Sequence, residues 1–95
     1  MVIEFTARHY NAPDTVRNYA ENEVKRLEKY NDRITQCQII LSHEHNDHIV
    51  ELNLSIPGQK FNSKVTSENL TKAVDIAVDK MVVRLKKFMD KRNAH

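Results

Sequence analysis

The sequence is poor in the residues that build special sites. A single cysteine, Cys37, rules out an internal disulfide and is the usage expected of a cytoplasmic protein. One glycine and two prolines leave no glycine-rich phosphate loop and no low-complexity linker. No apolar run approaches the roughly 18–20 residues of a membrane span. The opening Met1-Val2-Ile3-Glu4-Phe5 lacks the basic stretch and long apolar block of a signal peptide. Gly-x-Ser-x-Gly is absent and the carboxylates form no pair on inward-facing positions, so no enzymatic activity is expected. Aromatic residues are only 6% of the chain, and none forms the usual RNA-stacking motif on a central strand.

What is present is one domain's worth of sequence, expected to span residues 1–95. Its 40% apolar share is too high for disorder. A domain this small buries only about 60–65% of the surface its unfolded chain exposes, so its core must be simple. The formal net charge of +2 conceals an asymmetry. Residues 80–95 hold six Lys/Arg against one Asp, and the remainder holds nine against twelve.

Residues 2–8 alternate, with Ile3, Phe5 and Ala7 on one face, and read as a strand. Asn11-Ala12-Pro13-Asp14 starts a helix, with Pro13 suited to its first position, and the helix is predicted to run to about Tyr30. Its buried stripe is Val16, Ala20, Val24 and Leu27. Strands are predicted over 36–44, with Cys37, Ile39 and Leu41 inward, and over 48–56, with Val50, Leu52, Leu54 and Ile56 inward. Asn46-Asp47 is the predicted turn between them. Pro57-Gly58 turns the chain into a fourth strand over 59–66, with Phe61, Ser63 and Val65 inward. Ser67 is the expected N-cap of a last helix over 68–92, with Glu68 in its first turn. The order β-α-β-β-β-α predicts an α+β two-layer sandwich, a four-stranded mixed sheet with both helices on one face. The first crossover is expected to be right-handed.

The last helix carries the clearest functional signal. Leu70, Val74, Ala77, Met81, Leu85 and Phe88 form its apolar stripe. Lys80, Arg84, Lys87 and Lys91 form a second row about 90° round the helix. Cations flanking a buried face border whatever lies beside the helix, here expected to be the seam with the first helix. A line of charge suits a phosphate backbone, although helix C-termini and solvated faces also collect Lys and Arg. The first helix adds Lys25, Arg26, Lys29 and Arg33, diluted by Glu21, Glu23 and Glu28. Lys60 and Lys64, on the open face of the fourth strand, read as solubility and edge protection.

Two other clusters carry less. His43, His45, Asp47 and His48 are residue types that zinc takes, but no helical His pair or Cys pair accompanies them and a hairpin tip tolerates polar residues freely. Tyr10, Tyr19 and Tyr30 could stack on bases, but Tyr19 and Tyr30 border the apolar stripe. No metal and no cofactor are expected.

The chain resembles the bacterial ribosome hibernation factors, the short hibernation promoting factor and the related ribosome-associated inhibitor. The likeness is densest from Val16-Arg17 through Leu27-Glu28-Lys29-Tyr30-Asn31-Asp32-Arg33-Ile34, at Ile39-Ile40-Leu41-Ser42-His43-Glu44, and at Ala73-Val74-Asp75, Asp79-Lys80-Met81 and Leu85-Lys86-Lys87. It implies a non-enzymatic silencer of idle ribosomes, bound in the mRNA and tRNA channel of the small subunit. Its partners would be 16S-type rRNA and nearby ribosomal proteins, with no membrane, and the factor itself would be a monomer. Lys80, Lys87, Lys91, Arg17 and Arg26 fall on positions that face rRNA in the family. The chain departs from its pattern in three places: Val83 stands where an arginine is frequent, Glu23 where a lysine is, and Glu68-Asn69-Leu70 opens the last helix without an aromatic. No further domain is expected after His95, which would point to the short promoting type. The alternative reading from the residues is a protein-interaction module whose basic row docks on an acidic partner.

Overall fold

The computed structural model describes residues 1–9 and 11–93, with side chains through Asp90. Four strands, β1 (Val2–Ala7), β2 (Gln36–Glu44), β3 (Asp47–Ile56) and β4 (Gln59–Ser67), lie in the order β1-β2-β3-β4. β1 runs parallel to β2, and the other two pairings are antiparallel. The helices are α1 (Asp14–Val24) and α2 (Leu70–Asn93), so the element order is the one expected from the sequence pattern.

Register explains the core. Cys37, Ile39 and Leu41 of β2 pair with Leu54, Leu52 and Val50 of β3, which pair in turn with Phe61, Ser63 and Val65 of β4. Because side chains alternate faces along a strand, these rows all point to the helical side. There they pack in one cluster with Ala20, Val24 and Leu27 and with Ala73, Val74, Ala77, Val78, Met81, Val82 and Leu85. The buried face of α2 is therefore wider than the stripe read from the sequence. Ser63 is the polar member of this layer; it is buried, and its hydroxyl donates to the Ala77 carbonyl at 3.0 Å. Ile40 is the exception on the open face. It is only 6% exposed, in mid-sheet between Thr6 and Glu51.

The boundaries differ from the sequence reading in four places, each with a local cause. Pro13 is the N-cap rather than the first helical residue: its ψ of 153° is extended, and its carbonyl accepts from the Val16 and Arg17 amides. After Val24 the helix tightens into a 3-10 helix over Lys25–Lys29. Asn69 caps α2, its Oδ1 accepting from the Lys72 amide at 3.1 Å. Ser67 ends β4 and supports the cap by accepting from the Asn69 amide, and Glu68 precedes the helix. Finally, the β2–β3 turn is His45-Asn46, because Asp47 already pairs with Glu44. Gly58, at φ +79°, meets the left-handed requirement of the second turn, between β3 and β4.

No helix among the described residues is long and apolar enough to cross a membrane. Cys37, fully buried in β2, has its thiol pushed up to about 12 by burial. Since the folded value lies above the unfolded one, near 9, the preference for the neutral thiol stabilises the fold below pH 9 and is lost as pH rises through about 12. Alkylation at pH 8 is expected to be slow and to accelerate only as denaturant opens the sheet. Fast stoichiometric reaction in native buffer would contradict this packing.

Candidate nucleic-acid interface

The two helices run side by side in the same direction, as their contacts show. Going up α1 and the 3-10 helix, Tyr19 bonds Asp75, Arg26 approaches Asp79, Tyr30 meets Lys86 and Asn31 reaches Met89. This seam belongs to Asp75, Asp79 and Lys86, not to the basic row. Lys80, Arg84 and Lys87 are exposed on the opposite flank of α2, where Arg84 and Lys87 line a groove of about 320 Å³ with Gln59, Phe61 and Phe88. The expectation that the row borders the first helix is thus corrected: it borders the β4 edge of the sheet. The Lys91 side chain lies outside the described residues, as does Tyr10.

Among the described residues, none of Lys80, Arg84 and Lys87 enters an ion pair, so the row presents uncompensated charge over about 10 Å of helix. Arg26 differs. Its guanidinium lies 2.9 Å from Glu23 and 3.6 Å from Asp79, and the bond to Glu23 raises its already high pKa. Its side chain is still 41% exposed, so the pairing is solvent-screened. Lys25 and Lys29 are exposed on the 3-10 helix. With three residues per turn there, Arg26 and Lys29 eclipse each other on one edge. The structure therefore places Lys80, Arg84 and Lys87 on the β4 flank of α2 and Lys25, Arg26 and Lys29 on the 3-10 helix, with the acidic seam residues between the two groups.

Val83, where the resembled family frequently has arginine, is 51% exposed. Arg84 does not replace that group in place. It projects about 100° further round, into the β4 groove. Two features escaped the sequence reading. Lys86 lies 5.4 Å from the centroid of the Tyr30 ring, a cation–π contact that ties the end of the 3-10 helix to α2. Phe61 and Phe88, read separately as core, form an edge-to-face pair at 5.5 Å that lines the groove. Their shared inward phase was the available signal; their meeting depends on how α2 crosses β4.

The Tyr19 hydroxyl donates to Asp75 Oδ1 at 2.5 Å. That bond, then desolvation, then the Asp75 and Glu23 charges push the phenol up to about 12, against a smaller lowering by Arg26. A folded value above the unfolded one, near 10, means the seam bond stabilises fully below pH 10 and is lost as pH rises through about 12. Absorbance at 295 nm should show a late-titrating tyrosine that Tyr19→Phe removes. A Tyr19→Phe titration superimposable on the wild-type curve would contradict the bond.

The β2–β3 hairpin does not assemble the ligands considered above. His45 sits in the turn at φ +57°, off the strand face of His43, whose ring lies 4.9 Å from that of His48. Among the described residues no group of three or more His, Cys, Asp or Glu gathers to hold a metal ion.

Comparison with known proteins matches residues 3–93 to the family model described as Sigma 54 modulation protein / S30EA ribosomal protein. A ribosome hibernation promoting factor of Pseudomonas putida is 29% identical over 94 residues, covering 99% of this chain and 92% of that protein. Among solved structures, a ribosomal subunit interface protein from Coxiella burnetii superposes with a TM-score of 0.88 at 26% identity, covering 94% of this chain and 98% of that one. The N-terminal domain of Protein Y from Thermus thermophilus superposes with a TM-score of 0.84 at 27% identity, covering 93% and 99%.

Proposed function

The chain belongs to the Sigma 54 modulation protein / S30EA ribosomal protein family, and from that premise we propose that it is a ribosome-binding translation silencer of the cytoplasm. The family is one of ribosome-associated factors rather than enzymes, and silencing requires no chemistry. A rigid two-layer domain lays a basic surface on rRNA phosphates of the small subunit and fills the channel that mRNA and tRNA would occupy. Idle ribosomes are thereby kept inactive and intact under stress or in stationary phase.

The observation that carries this reading is the uncompensated row Lys80, Arg84 and Lys87 on an exposed flank of α2, continued in sequence by Lys91. Lys25, Lys29 and Arg26 supply the second group of contacts, with Arg26 the weaker because Glu23 and Asp79 compete for it. Roughly five to seven phosphate contacts would give log K falling with log salt at a slope of about −4 to −6. Sedimentation with bacterial ribosomes through sucrose gradients at two salt concentrations tests it. Salt-sensitive comigration with the small subunit or the whole ribosome is expected. Absence from every ribosomal fraction at low salt sinks the proposal. A complex with a ribosome-free acidic protein that survives nuclease would assign the basic row to that protein instead.

A further inference from the structure

The groove at the β4 edge has a composition that phosphate binding alone does not require. Two of the chain's three phenylalanines, Phe61 and Phe88, line it, both only half-buried in spite of their inward phase. Their edge-to-face packing, 77° between ring planes, turns the rings in different directions, so they make an angled aromatic wall and not a closed stack. Arg84 and Lys87 stand at the same groove from the helix, and Gln59 adds an amide from the strand. No carboxylate is among the described residues that line it. On the far side of β4, Lys60 projects from the open sheet face next to Phe61 in sequence, so positive charge continues around the edge of the sheet.

Aromatic surface flanked by cations is the combination that holds single-stranded nucleic acid. A base has a π-face that stacks whatever its identity, and the phosphates on either side need positive charge. An acidic peptide would use the cations but has no need of the rings. A buried apolar side chain from a protein partner would use the rings but would leave Arg84 and Lys87 desolvated without partners. An unpaired nucleotide uses both.

We propose that this groove takes one unpaired base of an RNA strand, stacked on the Phe61–Phe88 wall, with Arg84 and Lys87 on the adjoining phosphates. The inference rests on the ribosome-binding reading above and deepens it. The basic row is then joined by a stacking contact, and the contribution of the stack, unlike that of Arg84 and Lys87, does not depend on salt.

The test is the affinity of the full chain for small ribosomal subunits across a salt series, for wild type, Phe88→Leu, Phe88→Tyr, Phe61→Leu and Arg84→Gln. Leucine keeps an apolar side chain, though a smaller one, and removes the π-face; tyrosine keeps the ring. Phe88→Leu and Phe61→Leu are expected to weaken binding by roughly 5- to 150-fold with the salt slope unchanged. Phe88→Tyr should stay near wild type, and Arg84→Gln should make the slope shallower by about 0.7–0.9. Circular dichroism confirms that each variant is folded, and Phe61→Leu stands in should Phe88→Leu fail to fold. Wild-type binding with both leucine variants unchanged overturns the clamp while leaving the silencer reading intact. So does equal loss in Phe88→Tyr and Phe88→Leu, which would mean packing matters and aromaticity does not. Leucine-sensitive binding to a ribosomal protein freed of RNA would place a protein segment in the groove and also overturns it. A wild-type chain that binds no subunit at all rejects the silencer reading first, and the clamp with it.

Discussion

Replacing Lys80, Arg84, Lys87 and Lys91 together by Gln is expected to reduce affinity for ribosomes roughly a thousandfold at about 0.1 M salt while leaving the domain folded. Each phosphate contact releases counterions and contributes about 0.7–0.9 to the slope of log K against log salt. Losing four contacts should therefore make the slope shallower by about 3. Integrated from about 1 M, where the release no longer helps, down to about 0.1 M, that is some three decades of affinity. The fold should survive because Lys80, Arg84 and Lys87 are exposed and, among the described residues, none is in an ion pair. Surface charges of this kind change stability by only a few tenths of a kcal/mol, to about 0.5. Filter binding or gradient sedimentation at three salt concentrations measures the slope directly. A quadruple variant that binds with the wild-type slope would put the interface elsewhere. Arg26→Gln is the internal contrast: with Glu23 and Asp79 already against its guanidinium, it should change the slope less than Arg84→Gln does.

Leu52→Ala is expected to be the most damaging single substitution for stability. Leu52 is fully buried in β3, an inner strand, paired with Ile39 on one side and Ser63 on the other. It points into the layer where both helices meet the sheet, so no flexible surface can collapse into the space it leaves. A Leu→Ala change at such a site costs about 2–5 kcal/mol, against a total stability of about 5–15 kcal/mol for a domain. At about 4–8 °C per kcal/mol for a chain of this size, Tm should fall by roughly 10–40 °C. Differential scanning calorimetry reads the shift. A fall of only a few degrees would mean that the core is loose around β3. The same variant should lose ribosome binding only in proportion to the fraction unfolded, because Leu52 is fully buried while the basic row lies on the exposed surface.

Much of this architecture is legible in the chain because strand periodicity reports burial directly. Val50, Leu52, Leu54 and Ile56 alternate with Glu51, Asn53 and Ser55, and each apolar member is buried where the alternation puts it. The two-residue turn at Pro57-Gly58 and the register it sets follow from the same local chemistry. Helix ends are less legible, since several nearby residues can cap. Ser67 and Asn69 are both good cap residues, and only the last pairing of β4, Ser67 with His48, shows that the strand runs far enough to leave the cap to Asn69. The flank of α2 that faces α1 was not readable from the chain. A helical wheel places Lys80, Arg84 and Lys87 beside the buried stripe but not on a particular side of the molecule. That side is fixed by the sheet order, which puts α2 over β3 and β4 with its acidic and Lys86 flank toward α1. The Phe61–Phe88 wall is hidden for the same reason: two inward apolar positions 27 residues apart look like ordinary core until the crossing of helix and strand leaves them at its edge.

Channel occupancy is the central claim, and direct competition tests it. The chain, carrying a fluorescent label away from α2, is bound to small ribosomal subunits, and mRNA with its cognate tRNA is then added in increasing amounts. Mutual exclusion is predicted: the label dissociates as the ternary complex forms, and pre-formed complexes resist binding of the chain in the reverse order. A stable complex holding the labelled chain, mRNA and tRNA on one subunit at saturation would contradict it, and the basic row would then lie on a surface outside the channel.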